Sequence, residues 1–174
     1  MRALLAFVCL SLSPWAYSAD RFYGEIHGGL GNIRQSDLSF RPVEAYVSVG
    51  GYFIDNVGID LTLGTALLDD DDDGFDAQVE DIASLSVRFD SPPIDYTSAF
   101  VLIGYSQFTV QQEAVNPLGV TSTVSETFRG GTLALGLRQQ LGNTRFSLVG
   151  MFRTHILDEP VDVDSYTVGV RAAW

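Results

Sequence analysis

The last nine residues decide the fold: Tyr166-Thr167-Val168-Gly169-Val170-Arg171-Ala172-Ala173-Trp174. Apolar and small or polar side chains alternate along this stretch, so that Tyr166, Val168, Val170, Ala172 and Trp174 share one face of a strand. Thr167, Gly169, Arg171 and Ala173 share the other face. Such a period of two predicts a strand with one apolar face.

The same period runs through most of the chain, and no segment repeats with a helical period. We predict eight strands, at 21–35, 42–55, 57–68, 79–90, 97–112, 124–141, 145–157 and 163–174. Each is near or above the roughly 9–11 residues that a tilted strand needs to cross a membrane. After the N-terminal segment, no apolar run reaches the length of a membrane-spanning helix.

The predicted connections alternate in length. Tight turns are predicted at 55–56, 91–96 and 142–144, and longer polar connections at 36–41, 69–78, 113–123 and 158–162. Outer-membrane barrels have short periplasmic turns and longer external loops. With both termini in the periplasm, an even strand number places every tight turn there and every longer loop outside.

The N-terminal segment predicts export. Arg2 is followed by an apolar run from Ala3 to Leu12, and small residues stand at Ser18 and Ala19. This is typical of a secretory signal peptide, so we expect a signal at 1–19, cleaved after residue 18 or 19, and a barrel domain at 20–174. Cys9, the one cysteine, lies within the signal, so disulfides are not expected in the mature chain.

Charge and aromatic residues narrow the class further. The net charge is −12 and all ten basic residues are arginine, which disfavours nucleic acid as a partner. Charges of both signs on the non-lipid face favour a membrane barrel over a soluble sandwich. Aromatic residues near strand ends are typical of interfacial girdles. They are Phe22, Tyr23, Tyr52, Phe53, Phe89, Tyr96, Phe100, Phe146, Tyr166 and Trp174.

The chain resembles the small eight-stranded outer-membrane barrels of the OmpX and OmpA-barrel type. The C-terminal stretch is similar to the insertion signal of that superfamily, with Thr167, Gly169, Ala172 and Trp174 at its positions. The stretch 49–60 is similar to one of its hairpins. The resemblance implies an all-β, up-and-down antiparallel barrel in the outer membrane of a Gram-negative bacterium. It also implies insertion by the barrel-assembly machinery, into lipid that contains lipopolysaccharide; we expect a monomer.

Such barrels include structural anchors, adhesins, narrow pores and lipid-modifying enzymes, and the fold does not select among them. The alternation places charged side chains on the inward face, and eight strands leave an interior that side chains can fill. We therefore predict a plug of arginine–carboxylate pairs. Its members are Glu25, Glu44, Asp60, Arg88, Arg138, Arg153 and Arg171, with His27 and His155 on the same face.

The predicted role is structural, or one of surface interaction with a ligand at the external loops. The alternative is a narrow, porin-like channel for ions or small solutes. A lipid-modifying enzyme is a distant third, because His155 with Ser165 and Asp158 lies in no recognisable catalytic motif, and we expect no activity.

The acidic loop carries one ion-binding pattern. Asp69, Asp71, Asp73, Gly74 and Glu80 match the spacing of a calcium-binding loop. The flanks read as strands rather than the helices of that motif, and five consecutive aspartates meet the spacing by composition alone. Three interpretations stay open: a solvated acidic loop without an ion, a calcium site, and carboxylates bridged by divalent ions to lipopolysaccharide phosphates. No other cofactor is expected.

Overall fold

The structure, a computed structural model, describes residues 21–35, 38–68, 76–115, 121–157 and 161–174. All regular structure within these ranges is β-strand. Across the same ranges there is no helix with the length and apolar character that crossing a membrane requires.

The described residues form nine strands, and eight of them build the barrel wall. The wall strands are β1 (Phe22–Gln35), β3 (Val43–Ile54), β4 (Val57–Leu68), β5 (Asp76–Asp90), β6 (Thr97–Val115), β7 (Thr121–Gln140), β8 (Phe146–Leu157) and β9 (Val161–Ala173). The short β2 (Leu38–Phe40) extends the first hairpin. Each wall strand pairs with the next antiparallel, and β1 also pairs with β9. The predicted closed eight-stranded meander is therefore confirmed.

The two ends of the barrel differ. The tight connections after β3, β5 and β7 lie at the same end as both chain termini, where Phe22 and Trp174 exchange backbone hydrogen bonds. We call this the turn end, and the opposite end the loop end. Asn56 (φ 65°) and Gly142 (φ 60°) adopt the left-handed backbone conformation that their turns need.

The first hairpin is longer than the sequence predicts. Leu38–Phe40, placed by the sequence in a loop at 36–41, pairs with the end of β1. Ile33 pairs with Phe40 and Leu30 with Val43, so β2 and β3 keep one register with β1. Pro42 interrupts the ladder because it has no N–H to donate, while its carbonyl still accepts a hydrogen bond from the Gly31 N–H.

The hairpin of β6 and β7 also exceeds the prediction. Most of the polar connection predicted at 113–123 is strand, since pairing continues to Val115 and Thr121. The backbones of the two strands pair there residue by residue, although the hydrophobicity pattern of these residues is weak. β6 and β7 are therefore the longest strands of the wall, and β5 follows β6 as far as the pair of Asp76 with Glu113.

The two faces of the wall are chemically distinct. Outward apolar residues such as Ile26 and Val168 are about two-thirds exposed, as a lipid-facing surface requires. Three aromatic residues assigned by the sequence to the girdles point inward instead: Tyr23 and Phe100 are buried, and Tyr52 bonds to interior charges. The prediction was wrong for these three because nearness to a strand end does not fix the face.

Three of the inward aromatic rings lie over glycines of the neighbouring strand. In each pair the two residues are direct cross-strand partners, and a Cβ on the glycine would collide with the ring. The pairs are Tyr23 with Gly50, Tyr46 with Gly64, and Phe100 with Gly136. The missing side chains provide the space in which the rings lie flat against the wall.

Candidate functional site in the barrel lumen

An arginine on β5 is the centre of an ionic network in the turn-end half of the lumen. Arg88 is fully buried. Its Nη1 lies 2.9 Å from Glu25 Oε1 and 4.0 Å from Asp60 Oδ2, and its Nε lies 2.8 Å from Asp90 Oδ1. One guanidinium therefore joins carboxylates from three strands.

A tyrosine hydroxyl links the remaining charges. Tyr52 on β3 donates to Asp90 Oδ2 over 2.6 Å and accepts from Arg171 Nη2 at 3.0 Å and Arg138 Nη1 at 3.3 Å. Arg138 also pairs with Asp90 at 3.1 Å, and Arg171 with Glu25 at 3.4 Å. The network thus reaches across the lumen in several directions.

The charges of this network balance. Glu25, Asp60 and Asp90 face Arg88, Arg138 and Arg171, so each of these three carboxylates has a guanidinium within 4.0 Å. Burying an ion without a partner is costly, and pairing of this kind offsets that cost. Aromatic faces add to the pairing: Arg88 lies 3.9 Å from the centroid of the Phe100 ring, and Arg171 lies 3.8 Å from that of Tyr23.

Hydroxyl groups continue the network toward the loop end. Tyr23 donates to Asp60 Oδ2 over 2.8 Å, and Thr62 donates to Asp60 Oδ1 over 2.7 Å. Thr62 also contacts Ser48 at 2.8 Å. On the other side, His27 Nε2 lies 2.9 Å from Glu25 Oε2. The carboxylates are thus held by polar partners besides arginine, which fixes their orientation.

The loop-end half is organised differently. Glu44 Oε2 accepts hydrogen bonds of 2.7 Å from both Tyr46 and Ser165. Arg153 lies over the Tyr46 ring at 5.1 Å and donates to Thr62 at 3.4 Å. Within the described ranges, no carboxylate lies within 4.0 Å of Arg153, so the structure does not join it to Glu44 as an ion pair.

An apolar cluster fills the lumen at this level. It consists of Tyr46 on β3, Ile82 on β5, Phe108 on β6 and Val163 on β9, all at most 3% exposed. Ile33, Ala66 and Phe128 pack against it from three further strands. A second apolar cluster, of Phe100, Leu102, Ala134, Val149 and Met151, lines the walls of β6 to β8. The interior is therefore less polar than the sequence pattern predicts, because both faces of β6 carry large apolar residues.

The histidine considered for catalysis does not meet the serine expected beside it. His155 Nδ1 lies 2.8 Å from Ser106, and its ring packs edge-on against Phe108 at 4.4 Å. Ser165 donates to Glu44 instead. Asp158 lies outside the described residues. Among the described residues, His155 has no carboxylate partner, so a serine–histidine–carboxylate arrangement is not assembled.

The predicted calcium ligands cannot be located. Asp69, Asp71 and Asp73 lie outside the described residues, and the side chain of Glu80 is outside them as well. In the described part of the chain, no group of three or more histidine, cysteine or carboxylate residues is arranged to hold a metal ion. The calcium site stays a prediction from sequence.

The residues of the C-terminal signal lie on both faces of β9. Thr167 and Gly169 face the lumen, where a Cβ on Gly169 would collide with the His27 ring. Trp174 is 42% exposed at the turn end, and Ala172 pairs with Gly24 and Phe146. Their role in insertion stays a prediction.

Sequence reasoning missed two central residues of the network. Asp90 follows Arg88 by two positions and so shares its face, which was a usable signal. Tyr52 was assigned to the girdle, although its period also placed it inward. Both were missed because they lie at strand ends, where the last inward residue resembles part of a turn.

The family follows from a comparison of the sequence with family models. Residues 3–173 match the model described as outer membrane protein beta-barrel domain. The chain belongs to this family. As a member of the outer-membrane β-barrel family, it is an outer-membrane protein. The resemblance to small outer-membrane barrels that the sequence predicted is confirmed.

Solved structures agree with this assignment at the level of the fold. The chain is similar to Neisserial surface protein A (TM-score 0.72, 14% identity, covering 91% of this chain and 100% of that one). It is also similar to Ail, the attachment invasion locus protein of Yersinia pestis (TM-score 0.65, 13% identity, covering 89% of this chain and 99% of that one). A third similar structure is the outer membrane protein OprG from Pseudomonas aeruginosa (TM-score 0.59, 12% identity, covering 90% of this chain and 97% of that one). No curated protein matches the sequence.

Proposed function

We propose that this member of the family is a closed barrel that acts at the cell surface, as a structural element or through contacts of its loop end. The observation that carries the proposal is the apolar cluster of Tyr46, Ile82, Phe108 and Val163. In the eight-strand circle, β5 and β9 lie opposite each other, so Ile82 and Val163 come from facing walls. Side chains packed across the lumen in this way would block a continuous aqueous path at that level.

The ionic network supports the same function at a second level. Six charged side chains pair across the turn-end half, and opening a path would separate buried ion pairs. Removing one partner of such a buried pair costs roughly 3–5 kcal/mol, which indicates how strongly the network resists opening. Two obstructions of different chemistry therefore lie in series. A barrel closed in this way presents its loop end, rather than a pore, to the outside.

The sequence between β4 and β5, two strands that are connected at the loop end, carries five consecutive aspartates at 69–73. This charge favours a basic partner, or divalent ions that bridge to lipopolysaccharide phosphates. Ail, one of the similar structures, was crystallised with a heparin analogue, which is anionic. The acidic loop of this chain favours a cationic ligand rather than an anionic one.

The test is conductance of the refolded mature chain in a planar bilayer, with and without calcium. We expect a folded but electrically silent barrel under both conditions. Discrete and reproducible openings would instead assign a narrow channel, the competing function, with the arginines and carboxylates of the lumen as its filter. Folding is checked in the same preparation by the mobility shift between heated and unheated samples in SDS gels.

A further inference from the structure

The turn end opens into a vestibule of about 310 Å³. Four arginines line it, together with a single carboxylate, Asp55, among its described lining residues. The arginines are Arg21, Arg138, Arg145 and Arg171. In a chain with a net charge of −12, this concentration of positive charge is local to one end of the barrel.

Two of these arginines stand at the rim. Arg21 and Arg145 are exposed, and in the part of the chain that the structure describes neither forms an ion pair. Their backbones are held in place: the Arg21 carbonyl accepts from Tyr52 N–H at 2.8 Å, and the Arg145 carbonyl accepts from Ala173 N–H at 3.0 Å. The rim guanidinia are therefore available to a ligand while their attachment points are fixed.

The other two form the floor. Arg138 and Arg171 both donate to the Tyr52 hydroxyl, and each is anchored by a deeper carboxylate, Asp90 or Glu25. Because those carboxylates bind from the lumen side, they hold the floor guanidinia in position before any ligand arrives. Such preorganisation reduces the entropy lost on binding.

We propose that this vestibule is a binding site for a phosphate group. Guanidinium groups match phosphate oxygens with paired hydrogen bonds. The two rim arginines supply the charge for such a ligand, because Arg138 and Arg171 are already balanced by Asp90 and Glu25. The volume is at the lower limit of roughly 300–1,000 Å³ for small-molecule sites, so it admits a small phosphorylated molecule or one lipid headgroup. Because the short turns of such barrels lie on the periplasmic side, the site faces the periplasm. It does not depend on the function proposed for the loop end.

The experiment follows the side-chain Nε–Hε resonances of the arginines by NMR, with the refolded barrel in an uncharged sugar detergent. Inorganic phosphate is titrated against chloride at equal ionic strength. We expect saturable shifts for Arg21 and Arg145 with phosphate only. The double variant R21Q/R145Q should bind phosphate at least about tenfold more weakly, as expected for losing charge-assisted hydrogen bonds.

A matched control removes an arginine from elsewhere on the wall. Arg129 is exposed on β7 near the loop end, where its Nε donates to Gln107 at 3.1 Å, and R129Q should bind phosphate as the native chain does. R145K keeps the charge but loses the planar fork, so its affinity should be intermediate. Equal shifts with chloride, or native affinity in R21Q/R145Q, would overturn the proposal.

The source of the phosphate is separated by a second preparation, in bilayer discs that contain phosphatidylglycerol. If the Arg145 resonance already stands at its phosphate-bound position without added phosphate, a headgroup occupies the site. If it moves only when inorganic phosphate is added, the ligand is a soluble phosphorylated molecule. Both results uphold a phosphate site.

Discussion

Arg138 on β7 reaches the hydroxyl of Tyr52 on β3 at a distance of 3.3 Å, across the full width of the barrel. These two strands are four places apart in the eight-strand circle and so lie on opposite walls. Asp90 stands between them, bound by both side chains. A single phenol therefore holds together two walls of the barrel and three charged residues.

Tyr52→Phe tests that link. Removing the hydroxyl leaves Asp90 without its donor and Arg138 and Arg171 without a shared acceptor, so we expect a loss of about 1–3 kcal/mol in unfolding free energy. The measurement is the urea midpoint in lipid vesicles. Tyr96→Phe is the matched control, because Tyr96 is half exposed and its hydroxyl is 3.5 Å from Asn143. Equal midpoints for the two variants would contradict the bridging role.

Arg88→Met and Arg153→Met compare two buried arginines. Arg88 lies within 4.0 Å of three carboxylates, while Arg153 lies over the Tyr46 ring. Loss of Arg88 leaves buried negative charge and should destabilise the barrel by roughly 3–5 kcal/mol. Arg153→Met should cost clearly less, since methionine can still pack on the ring. The comparison is made by equilibrium unfolding, and the reverse order would show that the ionic network does not govern stability.

Phe108→Ala tests closure of the loop-end half. The ring is buried in the apolar cluster, and its removal should open space in the lumen while costing about 3–5 kcal/mol of stability. If the cluster is the tighter obstruction, single-channel events should appear in bilayers where the native barrel is silent. Ile103→Ala, at an outward and half-exposed position on the same strand, should stay silent. A folded but silent Phe108→Ala barrel would assign closure to the ionic network instead.

Gly64→Ala tests the space beneath an aromatic ring. An added Cβ would collide with the Tyr46 ring, so the ring must shift, at a cost of about 1–3 kcal/mol. Gly150→Ala is the control, since its added Cβ would meet no atom within 4 Å. Thermal unfolding in detergent compares the two, and equal effects would mean that the ring moves freely.

The acidic loop gives a fifth prediction. If Asp69, Asp71, Asp73 and Glu80 bind calcium or bridge to lipopolysaccharide, chelation at constant ionic strength should speed proteolysis of the loop. The physical reason is that five adjacent aspartates repel one another without a counter-ion. Replacement of 69–73 by serine should remove the difference. Identical cleavage rates with calcium and chelator would favour a solvated loop that holds no ion.

The period of two was sufficient to predict the wall of the barrel. β4 has the predicted bounds, and each of the other seven wall strands agrees with its predicted bounds to within three residues at each end. The inward placement of Glu25, Arg88 and Arg171 also follows from that period. These features could be predicted because lipid on one side and a narrow lumen on the other impose alternation at nearly every position.

Contacts across the lumen could not be predicted in the same way. Which carboxylate meets which arginine depends on the stagger between strands, and alternation along one strand carries no information on stagger. Glu44 therefore binds Tyr46 and Ser165 rather than Arg153, although all four face inward. The extended ends of β6 and β7 were missed for a different reason, because outside the lipid the pattern weakens.

The glycines beneath Tyr23, Tyr46 and Phe100 have a consequence for the register of the strands. If β3 and β4 paired two residues out of register, every side chain would still face its proper side, and the lipid surface would look unchanged. In the lumen, however, the Tyr46 ring would lie against Thr62 or Ala66 instead of Gly64. The glycines therefore favour the native register of this hairpin over one that is shifted by two residues.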